Sequence, residues 1–520
     1  MSDLWKKHPG VRSGERLTRG ERAADTIRNG MGSWGFIFSA LLFLAGWMIG
    51  NRGSGFDPYP FILLNLILSC LAAMQGAILL IATKRQDQIS SELAIARLRD
   101  EHRGRSDRQS HSRSDRRDPR SGGHSHDMSA DVDSVRHLYV HVPFCPTICD
   151  FCSFEVLERR SGMVAPYLDR VDGELAALAD RGDVGVLRSV YLGGGTPSSL
   201  RSAEIAALVE AIRRRLGGWE EMTLEVHPST ASADRFEIWR SLGVTRFSIG
   251  AQSFDDDVLR WLTRPHDAVA NHRAIEWALA TGAAVSVDLM TAIPHQDVAA
   301  DVASASASGV GHVSAYVVTI EEGTPFADAR VETDELSELG AIRSAATGLE
   351  AAGFERYEVS NWSRSISERC HHNEAYWANS WWAAVGPGAS AHLPPLESPR
   401  SVELADASSL HPDPRSRGAV AVRTRSGATT AWLSGESPTI EFRTAREAAS
   451  ESILTGLRRT SGVDLVEVAH RWGESIVDVG CTAVRGEVAS GRLVVEGSRV
   501  SATVMGMEQL DAVTAALLAD

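Results

Sequence analysis

Cys145, Cys149 and Cys152 fall within one short stretch, HVPFCPTICDFCSF, in the spacing C-x3-C-x2-C. Thiolates this close in sequence share one loop. Each can bind a different iron of a cubane [4Fe-4S] cluster, whose usual complement is four cysteines. One iron is then left without a protein ligand and becomes a coordination site for a small molecule. Structural zinc is the plainer reading of clustered cysteines, but it takes four nitrogen or sulfur ligands, and the obvious fourth is missing from this loop. A disulfide framework fits less well, because an odd trio in a chain with no cleavable secretory signal has no complete pairing.

The sequence around this loop has the pattern of an α/β fold. From His137 onward, short β-branched runs alternate with amphipathic stretches, as βα units around a parallel sheet do. Strands are expected at 138–142, 189–192, 223–226, 246–250, 285–290 and 313–318, with helices such as 164–179, 203–215 and 268–281 between them. Six such units make a partial (βα)6 barrel, and βα barrels place ligands at the C-terminal ends of their strands. The notable residues fall there. Gly193, Gly194, Gly195, Thr196 and Pro197 follow the second strand, where absent side chains let backbone N–H groups approach a ligand. Glu225, Gln252 and Asp288 lie at or just after strand ends, and a carboxylate or amide there can accept from hydroxyls or an amino group. Arg264 can pair with a carboxylate. Any one of them is an ordinary surface or capping residue. Together they suit a pocket for a zwitterionic nucleoside.

The motifs YVHVPFCPTICDFCSF, YLGGGTPSSL, TLEVHP, RFSIGAQSF, LTRPHD, VDLM, AYVVTIEEGTPF, YEVSNW and HHNEAYW occur in this order. In that order they resemble the oxygen-independent coproporphyrinogen III oxidase-like radical S-adenosylmethionine (SAM) family, and most of all its heme chaperone branch, HemW. The resemblance runs from about Arg136 to the C-terminus. It implies a [4Fe-4S] cluster on Cys145, Cys149 and Cys152, with SAM chelated at the open iron. It also implies SAM contacts from Tyr139, Phe151, Gly195, Thr196, Glu225, Gln252, Arg264 and Asp288. Such a cluster supplies one electron to cleave the sulfonium, chemistry that belongs to the cofactor. Ser153-Phe154 after the third cysteine is similar to the chaperone's Cys-x-Phe, whereas the oxidase has a further cysteine two positions on. HHNEAYW, containing His371, His372, Asn373, Tyr376 and Trp377, is similar to the HNxxYW signature linked to heme, which implies His372 as a heme contact. An imidazole or the Cys370 thiolate is then an axial ligand. The other reading is that His372 and Asn373 only fix a loop through hydrogen bonds.

Two departures from the family pattern add bulk near the expected pocket. Ala292-Ile293-Pro294-His295-Gln296 stands where the family has Gly-Leu-Pro-Gly-Gln, and His227 stands where it has Asn.

Two apolar runs, 34–49 and 61–83, precede this body, and neither carries a charge. The second has the length of a bilayer-spanning helix and the first is near the short limit. The link between them is nearly neutral, whereas both outer flanks are rich in Lys and Arg, so by the positive-inside rule both flanks are cytoplasmic. The expectation is an N-terminal transmembrane helical hairpin anchoring a body in the cytoplasm. This region resembles a family of small bacterial two-helix membrane proteins of unknown function, which implies an anchor and no chemistry. Residues 101–134 are rich in Arg, Ser, Asp, His and Gly and read as a flexible tether.

At 520 residues there is room for about three domains. The expected division is a membrane part at 1–100, the tether, a barrel at 135–393, an irregular excursion at 394–438 and a small C-terminal winged-helix-like domain at 439–520. The net charge of −14 and the lack of a basic stripe in that last domain argue against nucleic acid as a partner. The leading expectation is a membrane-tethered heme chaperone that passes heme to an acceptor, with an electron donor such as a flavodoxin or ferredoxin. The alternatives are an oxygen-independent coproporphyrinogen III oxidase, another radical reaction on a tetrapyrrole, and a degenerate barrel serving as a scaffold.

Overall fold

The computed structural model describes residues 134–160, 162–329, 331, 335–395 and 419–518. The expected membrane hairpin, and all but the last residue of the expected tether, lie outside the described residues. Among the described residues no helix is long and apolar enough to cross a membrane.

Six strands carry the fold: β1 (Val135–Val142), β2 (Val184–Gly194), β3 (Trp219–Val226), β4 (Arg246–Gln252), β5 (Ala284–Thr291) and β6 (His312–Val317). They pair in parallel, each with the next in sequence. The helices α1 (Val164–Arg181), α2 (Ser202–Leu216), α3 (Ala233–Ser241), α4 (Ala268–Ala280), α5 (Val298–Ala307) and α6 (Glu335–Ala351) alternate with them. A parallel strand must return to the same end of the sheet before the next begins, and a helix in each crossover does this, joined between β4 and β5 by a second short one, Asp256–Trp261. All six expected strands and the three expected helices are present, with ends that differ by up to about five residues.

The alternation within each strand decides which way it faces. Leu138, Val140, Val190, Leu192, Leu224, Phe247, Ile249, Val287 and Val313 are buried in the main apolar core with the helix faces. The residues between them, His137, Tyr139, Ser189, Tyr191, Glu221, Glu225, Arg246, Ser248, Ser286, Asp288, His312 and Ser314, are polar or aromatic and line the lumen, where they hydrogen-bond across strands.

The sheet does not close on itself. Beside β6 runs β7 (Asn361–Ser363), antiparallel, and beside β1 runs β8 (Trp382–Val385), parallel. Beyond β8 the sheet continues through β9 (Ser390–Leu393), β10 (Ala419–Arg425) and β11 (Thr439–Thr444), all antiparallel. Of the expected irregular excursion at 394–438, residues 396–418 lie outside the described residues, and the described remainder is partly regular. AVAVRTR pairs on both sides as β10, and a short helix, Thr429–Leu433, lays Trp432 against Tyr167 of α1. The Pro/Ser/Arg-rich flank hid a strand whose own residues alternate. The barrel sheet therefore runs past residue 393.

α7 (His371–Trp377) packs against β2, and α8 (Ala445–Gly456) follows β11. C-terminal to α8, four helices, Leu465–Trp472, Thr482–Ala489, Val504–Glu508 and Leu510–Leu518, accompany a small antiparallel sheet of Val463–Asp464, Arg499–Ala502 and Leu493–Glu496. α8 joins this part to the barrel. Ser452 Oγ accepts from Trp472 Nε1 at 2.7 Å and lies 2.9 Å from Asn379 Nδ2.

Candidate functional site

The cysteine loop leaves β1 and is pinned at both ends by backbone. Phe144–Cys145 pairs in parallel with Leu157–Glu158, while Gly195 and Thr196 donate to the carbonyls of Val142 and Phe144 at 2.9 Å. Further along, Asp150 N donates to Thr263 Oγ1 at 3.0 Å and Phe326 N donates to Asp150 O at 3.1 Å. A loop fixed at so many points holds its thiols in place before any iron arrives. Cys145 and Cys149 are buried and Cys152 is partly exposed.

Burial pushes the Cys145 thiol up to about 11, partly offset by the Thr196 hydroxyl donating to its Sγ at 3.4 Å. Burial also raises Cys152. In each case the neighbouring cysteines add to the shift, so the thiols lie close enough to feel one another's charge. Among the described residues, however, no three His, Cys, Asp or Glu side chains are grouped to hold a single metal ion. One tetrahedral zinc would need convergent ligands. A cubane takes each thiolate on a separate corner, and this donor set fits that arrangement.

The glycine turn after β2 is shaped by the loop it faces. A Cβ on Gly195 would stand 3.1 Å from Cys145 Sγ and 3.0 Å from Val142 O, and one on Gly193 would stand 3.0 Å from Glu225 Oε1. Side chains there would fill the space between the cysteines and the lumen. Gly194 N donates to Glu225 Oε2 at 3.0 Å. Burial, and next the Asp288 carboxylate, push Glu225 up to about 7. Asp288 is raised by burial as well, while Ser248 and Ser314 each donate to one of its oxygens at 2.8 Å. Both carboxylates keep some open surface inside the lumen. Two neighbouring acids raised by burial would be relieved by a cation placed beside them.

Arg264 stands at the other side of the loop. Its Nη1 lies 3.5 Å from Cys149 Sγ and its Nη2 donates to Gly250 O at 2.9 Å. Gln252 holds a left-handed backbone, φ 67°, which turns the chain away at the end of β4. Phe151 packs on a small separate apolar cluster of Val258, Leu262, Ile293 and Val318, together with the partly open Met290 and Trp261. That surface suits an aromatic base. Of the expected residues, Thr196 thus meets Cys145, Arg264 meets Cys149, and Glu225 lies close enough to Asp288 to feel its charge, while Phe151 and Gln252 are placed by the loop and strand end that carry them. Tyr139 lies deeper, its hydroxyl 3.1 Å from His141 Nδ1 and its ring stacked on Tyr191.

His372 stacks on Tyr139, ring centroids 6.2 Å apart. It is 1% exposed, with Nδ1 2.9 Å from Ser189 Oγ, which is itself 2.8 Å from His137 Nδ1. Its ring stacks on Tyr191 and meets Tyr376 edge-on, and burial drives its pKa down to about 3. Its Nε2 has no hydrogen-bond partner among the described residues. Cys370 is also buried, close to Glu221, and burial raises it to about 12. Through Ser189 the His372 ring ties α7 to β2. Sequence reasoning missed the serines and histidines of the lumen, Ser189, Ser248, Ser314 and His137; their signal is the polar position alternating with Val, Leu and Ile along each strand.

Comparison with known proteins gives two family matches. Residues 139–302 match the Radical SAM superfamily, and residues 31–113 match a protein family of unknown function, DUF1003. The chain is 36% identical over 271 residues to the heme chaperone HemW of Mycobacterium tuberculosis, covering 49% of this chain and 69% of that protein. It is 27% identical over 354 residues to HemW of Bacillus subtilis, covering 66% of this chain and 88% of that protein. It is also 36% identical over 273 residues to the mitochondrial radical S-adenosyl methionine domain-containing protein 1 of Danio rerio, covering 50% of this chain and 60% of that protein. Among solved structures it resembles the coproporphyrinogen III oxidase HemN of Escherichia coli, a radical SAM enzyme, with a TM-score of 0.60 at 16% identity. That match covers 75% of this chain and 91% of the other and extends to the fold alone.

Proposed function

The chain belongs to the heme chaperone HemW family, within the radical SAM superfamily, and on that premise we propose that it binds a [4Fe-4S] cluster, SAM and heme and hands the heme to an acceptor. The observation that carries the reading is the set of three thiols on a pinned loop, with the Arg264 guanidinium beside Cys149 and two raised carboxylates, Glu225 and Asp288, at neighbouring strands. When bound, the cluster supplies one electron to a sulfonium ligand.

The residues of the chain have separate parts in this. Cys145, Cys149 and Cys152 hold three irons. Arg264 offsets the charge that Cys149 gains as a thiolate and faces the carboxylate of the ligand. Glu225 and Asp288 accept from its amino group and ribose hydroxyls, with Gln252 beside them. Gly195 and Thr196 bring backbone against the ligand, and Phe151 covers its base. Tyr139 closes the space below. For His372 to touch a heme, α7 must withdraw from the lumen, because every face of the ring is now covered.

The N-terminal segment serves as a membrane hairpin in this reading, supported by two uncharged apolar runs and by basic outer flanks. It holds the body at the cytoplasmic face, near a membrane-bound acceptor and within reach of a soluble electron donor. The helices and small sheet after α8 act as a winged-helix-like docking module, supported by their order along the chain.

Anaerobic reconstitution followed by heme titration tests the function. A saturable Soret change, with no vinyl product on incubation with coproporphyrinogen III, SAM and reductant, is the expected result. Turnover of coproporphyrinogen without heme binding would replace the chaperone by the oxidase.

A further inference from the structure

A groove of about 340 Å³ lies where the chain leaving the cysteine loop meets α1 and α2. Arg159, Arg160 and Arg201 line it with three guanidiniums, against the single carboxylate of Glu204. The first turn of α1, which has no acidic residue, gives another wall. Glu204, buried in α2, gathers two of the cations. Arg159 Nη2 donates to both of its oxygens, at 3.2 and 2.9 Å, and Arg201 donates to Oε1 from Nε and Nη2, at 2.8 and 2.6 Å. One carboxylate therefore serves two guanidiniums. Arg160 is exposed and its side chain has no ion pair among the described residues. The lining keeps an excess of positive charge.

The groove backs on the cysteines. Leu157–Glu158, which leads into it, pairs with Phe144–Cys145, and Arg159 N donates to Cys145 O at 2.9 Å. A single backbone hydrogen bond therefore separates the arginines from a cluster ligand. Cys152, the partly exposed thiol, lies on the same loop. The chain as a whole carries a net charge of −14, so this groove is a local exception to its charge. An anionic protein meets repulsion from the chain in general and attraction here, and charge alone would orient it. The Arg201 side chain is 77% exposed. Its charge stands at the surface, within reach of a protein face, and not in an enclosed pocket that a small anion would fill.

We propose that this groove is the docking site for the one-electron donor of the cluster, a small carrier protein with an acidic face. The inference rests on the [4Fe-4S] reading above and names the surface through which that cluster is reduced. Carboxylates of the carrier pair with Arg160 and Arg201, while Arg159 ties the groove to the strand of Cys145. One electron leaves the carrier and enters the cluster, and no bond is made or broken.

The test uses the full chain, anaerobically reconstituted, with an acidic flavodoxin as the carrier. Arg160→Glu reverses an exposed charge that has no ion pair to lose, and Arg201→Gln removes one that is mostly exposed, so neither threatens the fold. Calorimetry with oxidised flavodoxin is expected to show binding that weakens as salt rises, and that is at least roughly tenfold weaker in Arg160→Glu and less so in Arg201→Gln. Stopped-flow reduction of the cluster by reduced flavodoxin is expected to slow in the same order, while iron content and reduction by dithionite stay as in the wild type. Wild-type binding and reduction in both variants would overturn the docking assignment and leave the cluster reading intact. Equal slowing with dithionite would overturn it too, by tracing the loss to the cluster itself. Pyrophosphate binding that both variants lose, with flavodoxin unaffected, would replace the carrier by a small anion. A wild-type chain that loads no cluster would instead remove the [4Fe-4S] reading, and this proposal with it.

Discussion

The two ends of the barrel are lined by the same kinds of residue and treat them oppositely. At the N-terminal end, Arg246 donates to Glu221 at 3.0 Å, to Ser286 at 3.2 Å and to the Arg369 carbonyl at 2.9 Å, and the other Glu221 oxygen accepts from His371 N at 2.9 Å. Charge is paired and the lumen is sealed by α7. At the C-terminal end, Glu225 and Asp288 face each other with no cation between them among the described residues, and both are raised. Closed polarity holds the fold together. Polarity left unneutralised marks where a ligand belongs.

The strongest way to break this contrast is to remove a thiol. Cys149→Ala is expected to lower the iron bound after anaerobic reconstitution from about four per chain to near none, by iron and sulfide assay, with little change in the urea midpoint of the apo-protein. At the opposite end, Arg246→Met should cost about 3–5 kcal/mol, since it leaves Glu221 buried without its partner. Urea unfolding measures this, and the iron content of the folded fraction should stay as in the wild type. An equal loss of iron would show that the two ends are not separable.

Gly195→Ala sharpens the comparison within the open end. Its Cβ would press on Cys145 Sγ and on the backbone of Val142 and Pro143. Overpacking against backbone costs about 1–3 kcal/mol, and cluster loading should fall with it.

Glu225 gives the smallest effect and a pH signature. Its folded pKa is raised, so its ionisation costs stability that is present in full at low pH and is lost as pH rises from its ordinary 4.5 to about 7. Glu225→Gln should flatten that slope in unfolding experiments. A cationic amino group favours the carboxylate, so SAM binding should weaken as pH falls below about 7 in the wild type. Binding by the variant should be weaker by about tenfold, roughly 1.4 kcal/mol, and independent of pH in that range. Calorimetry at pH 6 and pH 8 measures both.

Much of this could be read from the sequence, for identifiable reasons. The six strands were legible because apolar outer positions run through each of them. Ala419–Arg425 was not legible as a strand beside its Pro/Ser/Arg-rich flank, since its pairing partners lie on both sides at long range. His372 was legible as a notable residue and not as a buried one. A motif specifies residue types, whereas its depth in the lumen follows from how α7 packs on β2. The left-handed backbone at His295 was legible only as a departure from glycine. Its strain, about 1–2 kcal/mol for a residue with a β-carbon, follows from how the loop turns at the end of β5.

Electron paramagnetic resonance of the reduced, reconstituted chain, recorded with and without SAM, tests most directly whether an iron lacking a protein ligand lies beside a ligand space. The expected result is a [4Fe-4S] signal whose shape changes when SAM is added, and changes less in Glu225→Gln at pH 8. A fully loaded cluster whose spectrum is the same with and without SAM would contradict it.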